Sequence, residues 1–111
     1  PKLLGSSKGL CFISLFEGFG LPIIEAMKSG IPIITSNTSA MPEIAQDAAI
    51  IVNPHNIREI SKAMYELETN NSLRLRLIKN GQRQVMKFNW NDTANSIWNI
   101  IYSTHNNHYE R

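Results

Sequence analysis

Residues 17–25 read EGFGLPIIE and carry the strongest structural signal in the chain. This stretch directly follows an apolar run at residues 10–15 (LCFISL) and leads into a second apolar segment. Two glycines allow the backbone to turn sharply, and Pro22 is typical of the first turn of a helix. The stretch therefore predicts a buried strand, a tight turn and a helix, in that order.

Three short apolar runs predict the strands of an α/β fold. They cover residues 10–15, 31–35 and 49–52. Because these runs are apolar on both faces, they suit a parallel sheet covered on both sides. Parallel neighbours need crossover connections, which the helical patterns at residues 21–29 and 39–46 supply. The first half of the chain therefore predicts β-α-β-α-β, a partial Rossmann-like domain with about three parallel strands.

Capping residues mark the helix ends. Gly30 fits the position just after the first helix, and Ser39 fits the start of the second. In the second half, Asn56, Ser72 and Asn89 are expected to cap three consecutive helices.

The last of these helices carries an apolar stripe that predicts packing against the core. The stripe comprises Ala94, Ile97, Trp98, Ile101 and Tyr102. Trp90 and Trp98 could also stack on sugars, but core packing is the favoured interpretation. Met64 is likewise expected to fill the core.

Composition excludes several classes of protein. The 111 residues suit one small domain, and a net charge of +2 does not favour a nucleic-acid partner. The single cysteine, Cys11, excludes a disulfide within the chain and is expected to be a packed strand thiol in a reducing compartment. No apolar run approaches the roughly 18 residues that span a bilayer, and no signal peptide is recognisable. We therefore expect a cytoplasmic protein.

The chemistry of residues 17–25 points to a ligand with phosphate and hydroxyl groups. A helix start offers unpaired N–H groups and the positive end of the helix dipole, which favour phosphate oxygens. Glu17 and Glu25 flank this turn, and carboxylates are strong acceptors for sugar hydroxyls. The pattern thus suits a nucleotide sugar, although Glu25 as an ordinary solvated helix residue stays open at this point.

Residues 14–27, SLFEGFGLPIIEAM, resemble the signature of the large retaining glycosyltransferase family four, which has the GT-B fold. The signature has two glutamates separated by seven residues around a Gly-Phe-Gly-Leu-Pro turn. Further segments resemble that family in the same order, at residues 30–36, 41–44, 47–49, 53–54 and 88–90.

The resemblance implies a role for each residue of the motif. Glu17 would lie beside the transferred sugar as the catalytic-site residue, and Glu25 would bond the ribose of the nucleotide. The turn from Gly18 to Leu21 would line the donor site, with the amides of Phe19, Gly20 and Leu21 facing the diphosphate and sugar. The Phe19 side chain is expected to pack rather than to contact the donor.

The resemblance also implies that residues 1–111 form only the C-terminal part of a nucleotide-sugar-binding domain. The acceptor domain would be absent, as would early strands that bring an Arg and a Lys to the diphosphate. We therefore expect this chain alone to be inactive, with an acceptor, sugar or lipid-linked, bound through the absent domain. Peripheral membrane association would then belong to the full protein.

Two further expectations follow from this comparison. The resemblance implies that no metal or other cofactor is needed, and the absence of an Asp-x-Asp motif agrees with this. The strand at residues 10–15 would lie at an unpaired sheet edge, which favours a homo-oligomer. The alternatives are a fragment of a nucleotide-sugar epimerase or phosphorylase on the same fold, and a non-catalytic assembly module.

Overall fold

The centre of the protein is a three-stranded parallel sheet, as predicted. A computed structural model describes the backbone of residues 2–109 and the side chains of residues 2–105. The strands are β1 (Leu10–Phe12), β2 (Ile33–Ser36) and β3 (Ala49–Val52), in the order β1-β2-β3. Ile33 is in register with both Leu10 and Ala49.

Strand β1 is shorter than the apolar run predicts. Pairing with β2 stops at Phe12, which is opposite Thr35. Beyond it, the carbonyl oxygen of Ser14 accepts hydrogen bonds from the hydroxyls of Ser36 and Thr38 instead of ladder amides. The exposed edge of the sheet on this side is therefore three residues long, not six.

Six α-helices accompany the sheet within the described residues. They are α1 (Lys2–Gly5), α2 (Leu21–Lys28), α3 (Met41–Ala45), α4 (Ile57–Thr69), α5 (Asn71–Val85) and α6 (Trp90–Tyr109). A short 3-10 turn, Gln46–Ala48, follows α3. The three consecutive helices of the second half confirm the prediction for that region.

Both ends of α2 are as the sequence predicts. Gly20 precedes the helix in the left-handed conformation (φ 81°), and Pro22 lies in its first turn. At the other end Gly30 is also left-handed (φ 68°), and its amide donates to the Met27 carbonyl. The next amide donates to the carbonyl of Ala26, which completes a Schellman motif.

Two of the predicted caps are confirmed. The Asn56 side chain accepts the Glu59 amide at 3.1 Å, and the Asn89 side chain accepts the Asn91 amide at 2.9 Å. Each bond satisfies an N–H group that the first turn of a helix leaves unpaired.

The other two predicted caps are wrong. Asn70, not Ser72, caps α5 through the Leu73 amide, because α4 ends at Thr69 and α5 begins at Asn71, which leaves Asn70 as the single linking residue. Ser39 does not cap α3; Ala40 holds that position without a side-chain bond, and the Ser39 hydroxyl is used elsewhere.

The core lies on both faces of the sheet. On one face, α2 and α3 bury the large side chains of Ile23, Met27, Ile33 and Met41. On the other face, α4 and the start of α5 cover Ile34 and Val52 with Ala63, Leu67 and Leu77. The later part of α5 lies close to α2, because Val85 packs against the core on the α2 and α3 face and Gly81 adjoins Met27.

Helix α6 departs most from the sequence-based expectation. Every described side chain from Asn91 to His105 is exposed, including Trp98 (65%) and Tyr102 (60%). Trp90, at the start of the helix, is 71% exposed. The predicted core stripe is therefore wrong: the residues are apolar, but nothing in the described chain covers them.

Two other side chains expected in the core are also exposed. Met64 is 52% exposed on α4. Cys11 is exposed at the edge of the sheet rather than packed, although partial burial raises the pKa of its thiol.

The helices within residues 2–109 include none that combines the length and the apolar character required to cross a bilayer.

Candidate functional site

The turn at Gly18–Leu21 presents bare amide groups at the start of α2. Within residues 2–109, the N–H groups of Phe19, Gly20 and Leu21 form no hydrogen bond, and no side chain caps the helix. Pro22 has no N–H group to contribute. The positive end of the helix dipole and these unpaired donors therefore point to the same place, which is favourable for an anion.

Glu17 lies immediately before this turn, in the loop that follows β1. Its main chain is held by Ser39, whose hydroxyl donates to the Glu17 carbonyl at 2.6 Å and accepts the Glu17 amide at 3.3 Å. Its carboxylate oxygen Oε1 lies 3.3 Å from the Ser14 hydroxyl. Glu17 is thus a half-buried carboxylate on a loop that is tied to a second loop.

That second loop, residues 37–40, follows β2. Because β1 and β2 are parallel neighbours, the two loops leave the same edge of the sheet, where ligands of open α/β sheets bind. The Thr38 hydroxyl lies 3.2 Å from both the Ser14 carbonyl and the Ser36 hydroxyl. Ser36 also donates to the Ser14 carbonyl, so a hydroxyl network joins the two loops.

Glu25 faces a groove between α2 and the α5–α6 junction. The groove has a volume of about 340 Å³. It is lined by Phe19, Leu21, Ile24, Glu25, Lys28, Lys87, Phe88, Asn89, Trp90 and Thr93. The lining of the groove therefore includes one acidic, two basic and three aromatic side chains.

Two of the aromatic rings that line this groove contact each other. The rings of Phe19 and Phe88 meet edge to face, with centroids 6.1 Å apart and an interplanar angle of 88°. This geometry is favourable for aromatic pairs. The Phe19 side chain, although 46% exposed, thus connects the turn before α2 to the segment between α5 and α6; that it does not contact the donor stays a prediction.

The predicted site residues fall into two groups of neighbours. Phe19, Leu21 and Glu25 line the groove, whereas Glu17 belongs to the hydroxyl network with Ser14 and Ser39. Gly18 lies in open space, since a Cβ there would have no neighbour within 4 Å. The donor roles assigned to these residues and to Gly20 stay predictions.

Sequence reasoning missed several residues of this region. The sequence predicts Ser39 as a helix cap, and no pattern in it links Ser39 to Glu17. Nor does any pattern pair Lys28 with Lys87, because they are 59 positions apart and only the packing of α5 beside α2 places both on one groove. Asn89 and Trp90 lie in a segment that does carry a signal, the Phe-Asn-Trp run at residues 88–90.

Comparison with known proteins shows what this chain is similar to. A family model described as glycosyl transferases group 1 matches residues 1–84. The O-antigen chain mannosyltransferase B of Escherichia coli is 34% identical over 98 residues, which cover 87% of this chain and 26% of that protein. The MMP alpha-(1->4)-mannosyltransferase of Mycolicibacterium hassiacum is 36% identical over 96 residues, covering 83% of this chain and 23% of that protein.

A solved structure agrees with these matches. The sucrose-phosphate synthase of Thermosynechococcus elongatus superimposes with a TM-score of 0.76 at 25% identity, covering 86% of this chain and 25% of that one. The chain thus spans about a quarter of the length of these proteins.

Proposed function

Because this chain belongs to the glycosyl transferases group 1 family, we propose that it supplies part of the nucleotide-sugar site of a retaining glycosyltransferase. The observation that carries the proposal is the geometry of residues 17–21. A half-buried carboxylate in the loop that follows β1 precedes a left-handed glycine and a helix start with unpaired amides. Donors for phosphate and an acceptor for hydroxyls therefore lie within five residues.

In this proposal the amides of Phe19, Gly20 and Leu21 bind the diphosphate of the donor. Glu17 accepts hydrogen bonds from hydroxyls of the transferred sugar, and Glu25 accepts them from the ribose. Charged acceptors make such bonds stronger than neutral ones. The position of Glu25 at an open groove supports this role, because the groove leaves room for a ring beside the carboxylate.

The proposed reaction exchanges one bond at the anomeric carbon. The bond to the diphosphate oxygen breaks, an acceptor hydroxyl oxygen bonds to the same carbon on the same face, and the hydroxyl proton leaves with the diphosphate. Negative charge builds up on the departing oxygen. Preorganised amide donors stabilise such charge in a water-excluded site.

In this proposal residues 1–111 do not supply the acceptor site. An acceptor, sugar or lipid-linked, would bind outside residues 1–111, so we propose that the isolated chain transfers no sugar and binds donors weakly. We propose that the reaction needs no metal and that the donor is supplied in the cytoplasm. We also propose that the full protein associates peripherally with a membrane and that copies of the chain form a homo-oligomer through the edge of β1. Light scattering of the chain tests the last point, and a monomer at high concentration would contradict it.

A titration of the isotope-labelled chain tests the donor site. GDP-mannose and UDP-glucose are added at millimolar concentration while the amide signals are followed by NMR; mannose and glucose alone serve as ligand controls. We expect shifts at Phe19, Gly20 and Leu21, unchanged by EDTA. Glu25→Gln should weaken them, whereas Glu59→Gln, on the opposite face of the sheet, should not.

Two results would contradict the proposal in different ways. Shifts confined to other parts of the chain, or none with either nucleotide sugar, would remove the donor site. Tight, saturable binding in calorimetry would retain the site but show that residues 1–111 suffice for strong donor binding.

A further inference from the structure

Ser39 holds both main-chain groups of Glu17, although the two residues are 22 positions apart. Its hydroxyl donates to the Glu17 carbonyl at 2.6 Å and accepts the Glu17 amide at 3.3 Å. One side-chain oxygen therefore fixes the peptide groups on either side of the Glu17 Cα.

The backbone of Ser39 adopts a conformation that is unfavourable for a residue with a side chain. Its φ is 54°, in the left-handed region where glycine is the residue of least steric cost. Within the described chain, Ser39 and Gln46 are the two non-glycine residues with positive φ. A glycine would relieve the strain but would lack the hydroxyl that bonds Glu17.

Packing offers little else to hold the loop before Glu17. Leu15 is 61% exposed and Phe16 is 79% exposed, so neither anchors the segment in the core. The Ser14 hydroxyl lies 3.3 Å from the Glu17 carboxylate and 3.1 Å from the Phe16 carbonyl, and it has one proton to share between them. Ser36 and Thr38 hold the loop at the Ser14 carbonyl. Ser39, by contrast, is the residue whose side chain bonds the main chain of Glu17 itself.

We propose that Ser39 is a positioning residue for Glu17, which keeps the carboxylate directed at the hydroxyls of the donor sugar. This inference rests on the proposed function, because it gives a purpose to the orientation of Glu17. Ser39 itself need not touch the donor, since its hydroxyl is occupied by the main chain of Glu17.

The test compares Ser39→Gly with Ser39→Ala and wild type. Both variants lose the hydroxyl, but only the glycine relieves the left-handed backbone. Ser7→Ala is the matched control, because the Ser7 hydroxyl also donates to a main-chain carbonyl, that of Leu4, at 2.7 Å. Amide exchange of Glu17, thermal stability, and binding of GDP-mannose and UDP-glucose are measured on each.

We expect the Glu17 amide to exchange about 5- to 10-fold faster in both Ser39 variants, as the loss of one hydrogen bond implies. The affinity for whichever nucleotide sugar binds wild type should fall by a similar factor. The melting temperature of Ser39→Gly should nevertheless equal or exceed that of Ser39→Ala. A residue that served only stability would not separate affinity from melting temperature in this way.

The possible outcomes separate this inference from the function on which it rests. Unchanged amide exchange of Glu17 in Ser39→Gly would show that the Ser39 hydroxyl does not restrain the Glu17 main chain. Unchanged donor affinity would show that this restraint does not affect donor binding. Either result overturns the positioning role alone. A wild-type chain without donor-induced shifts would overturn the donor role of Glu17, and with it both proposals.

Discussion

Gln84 and Ile44 are joined by a buried hydrogen bond between two helices. The side-chain amide of Gln84 on α5 donates to the main-chain carbonyl of Ile44 on α3 at 3.1 Å. Gln84 is 4% exposed and Ile44 is 6% exposed, so water cannot replace either partner. The bond fixes the C-terminal half of α5 against the layer that carries α2, and so helps to shape the groove beside Glu25.

We expect Gln84→Met to destabilise the protein by about 1–3 kcal/mol, because it leaves the Ile44 carbonyl buried without a partner. Urea unfolding followed by circular dichroism measures the change. Gln82→Met, at an exposed position of the same helix, should change the free energy of unfolding by less than about 0.5 kcal/mol. Equal effects of the two substitutions would contradict the role of the buried bond.

The two glycines of the turn before α2 should respond differently to alanine. Gly20 has a φ of 81°, so Gly20→Ala is expected to cost about 1–2 kcal/mol of stability and to weaken donor binding. Gly18 has no positive φ, and a Cβ added to it would meet no atom within 4 Å, so Gly18→Ala should be nearly neutral for stability. Thermal unfolding of both variants measures the difference. A Gly20→Ala protein as stable as wild type would contradict the requirement for a left-handed residue at this position.

Gly81 on α5 lies against α2, which leaves little room for a side chain at this position. Replacing a helix-interior glycine by alanine normally adds about 1 kcal/mol of stability. Here a Cβ would lie 3.3 Å from Cγ of Met27, which is 1% exposed. We expect this contact to cancel the gain in Gly81→Ala.

The larger substitution Gly81→Leu should destabilise by about 1–3 kcal/mol or more through overpacking. Lys79→Leu, at an exposed position of α5, provides the control. Urea unfolding of the three variants makes the comparison, and a Gly81→Ala protein stabilised by the full helix-propensity increment would argue against close packing of α5 on α2.

The exposure of α6 predicts that its apolar side chains contribute little to stability, whereas its apolar pattern alone predicts a large contribution. Trp98 is 65% exposed, so Trp98→Ala should cost less than about 0.5 kcal/mol, whereas a buried tryptophan would cost about 3–5 kcal/mol. Chemical unfolding gives the value, and acrylamide should quench Trp98 fluorescence readily. Ile33→Ala, at a position that is 1% exposed, is the buried comparison and should cost about 2–5 kcal/mol.

One ion pair predicts a pH dependence. The Lys8 ammonium donates a hydrogen bond to Glu68 at 2.6 Å, and this bond together with its charge lowers the pKa of the Glu68 carboxyl. Because the folded pKa lies below the unfolded one, the pair stabilises the protein above the unfolded pKa of about 4.3 and loses that effect as the pH falls through the folded pKa.

Both side chains are exposed, so the effect on stability should be small and should shrink with added salt. NMR titration of the Glu68 carboxyl in wild type and Lys8→Met makes the test. The pKa should move toward its ordinary value in the variant, and an identical titration curve would contradict the pairing.

The strand, turn and helix around residues 17–25 could be predicted because their causes are local. The ring of Pro22, the freedom of Gly20 and Gly30 to adopt positive φ, and the apolar runs on either side act within a few residues of the chain. The same holds for the Asn56 cap, whose partner is three residues away.

Contacts between distant residues and the covering of apolar surfaces could not be predicted in this way, because they depend on how the elements pack. The hydroxyl of Ser39 reaches Glu17 because parallel pairing of β1 with β2 brings the two loops to one edge, and residues 22 positions apart carry no local signal of that contact. Lys28 and Lys87 share a groove for the same kind of reason. The stripe of α6 was visible in the sequence, but periodicity identifies an apolar face without showing whether any other part of the described chain lies against it.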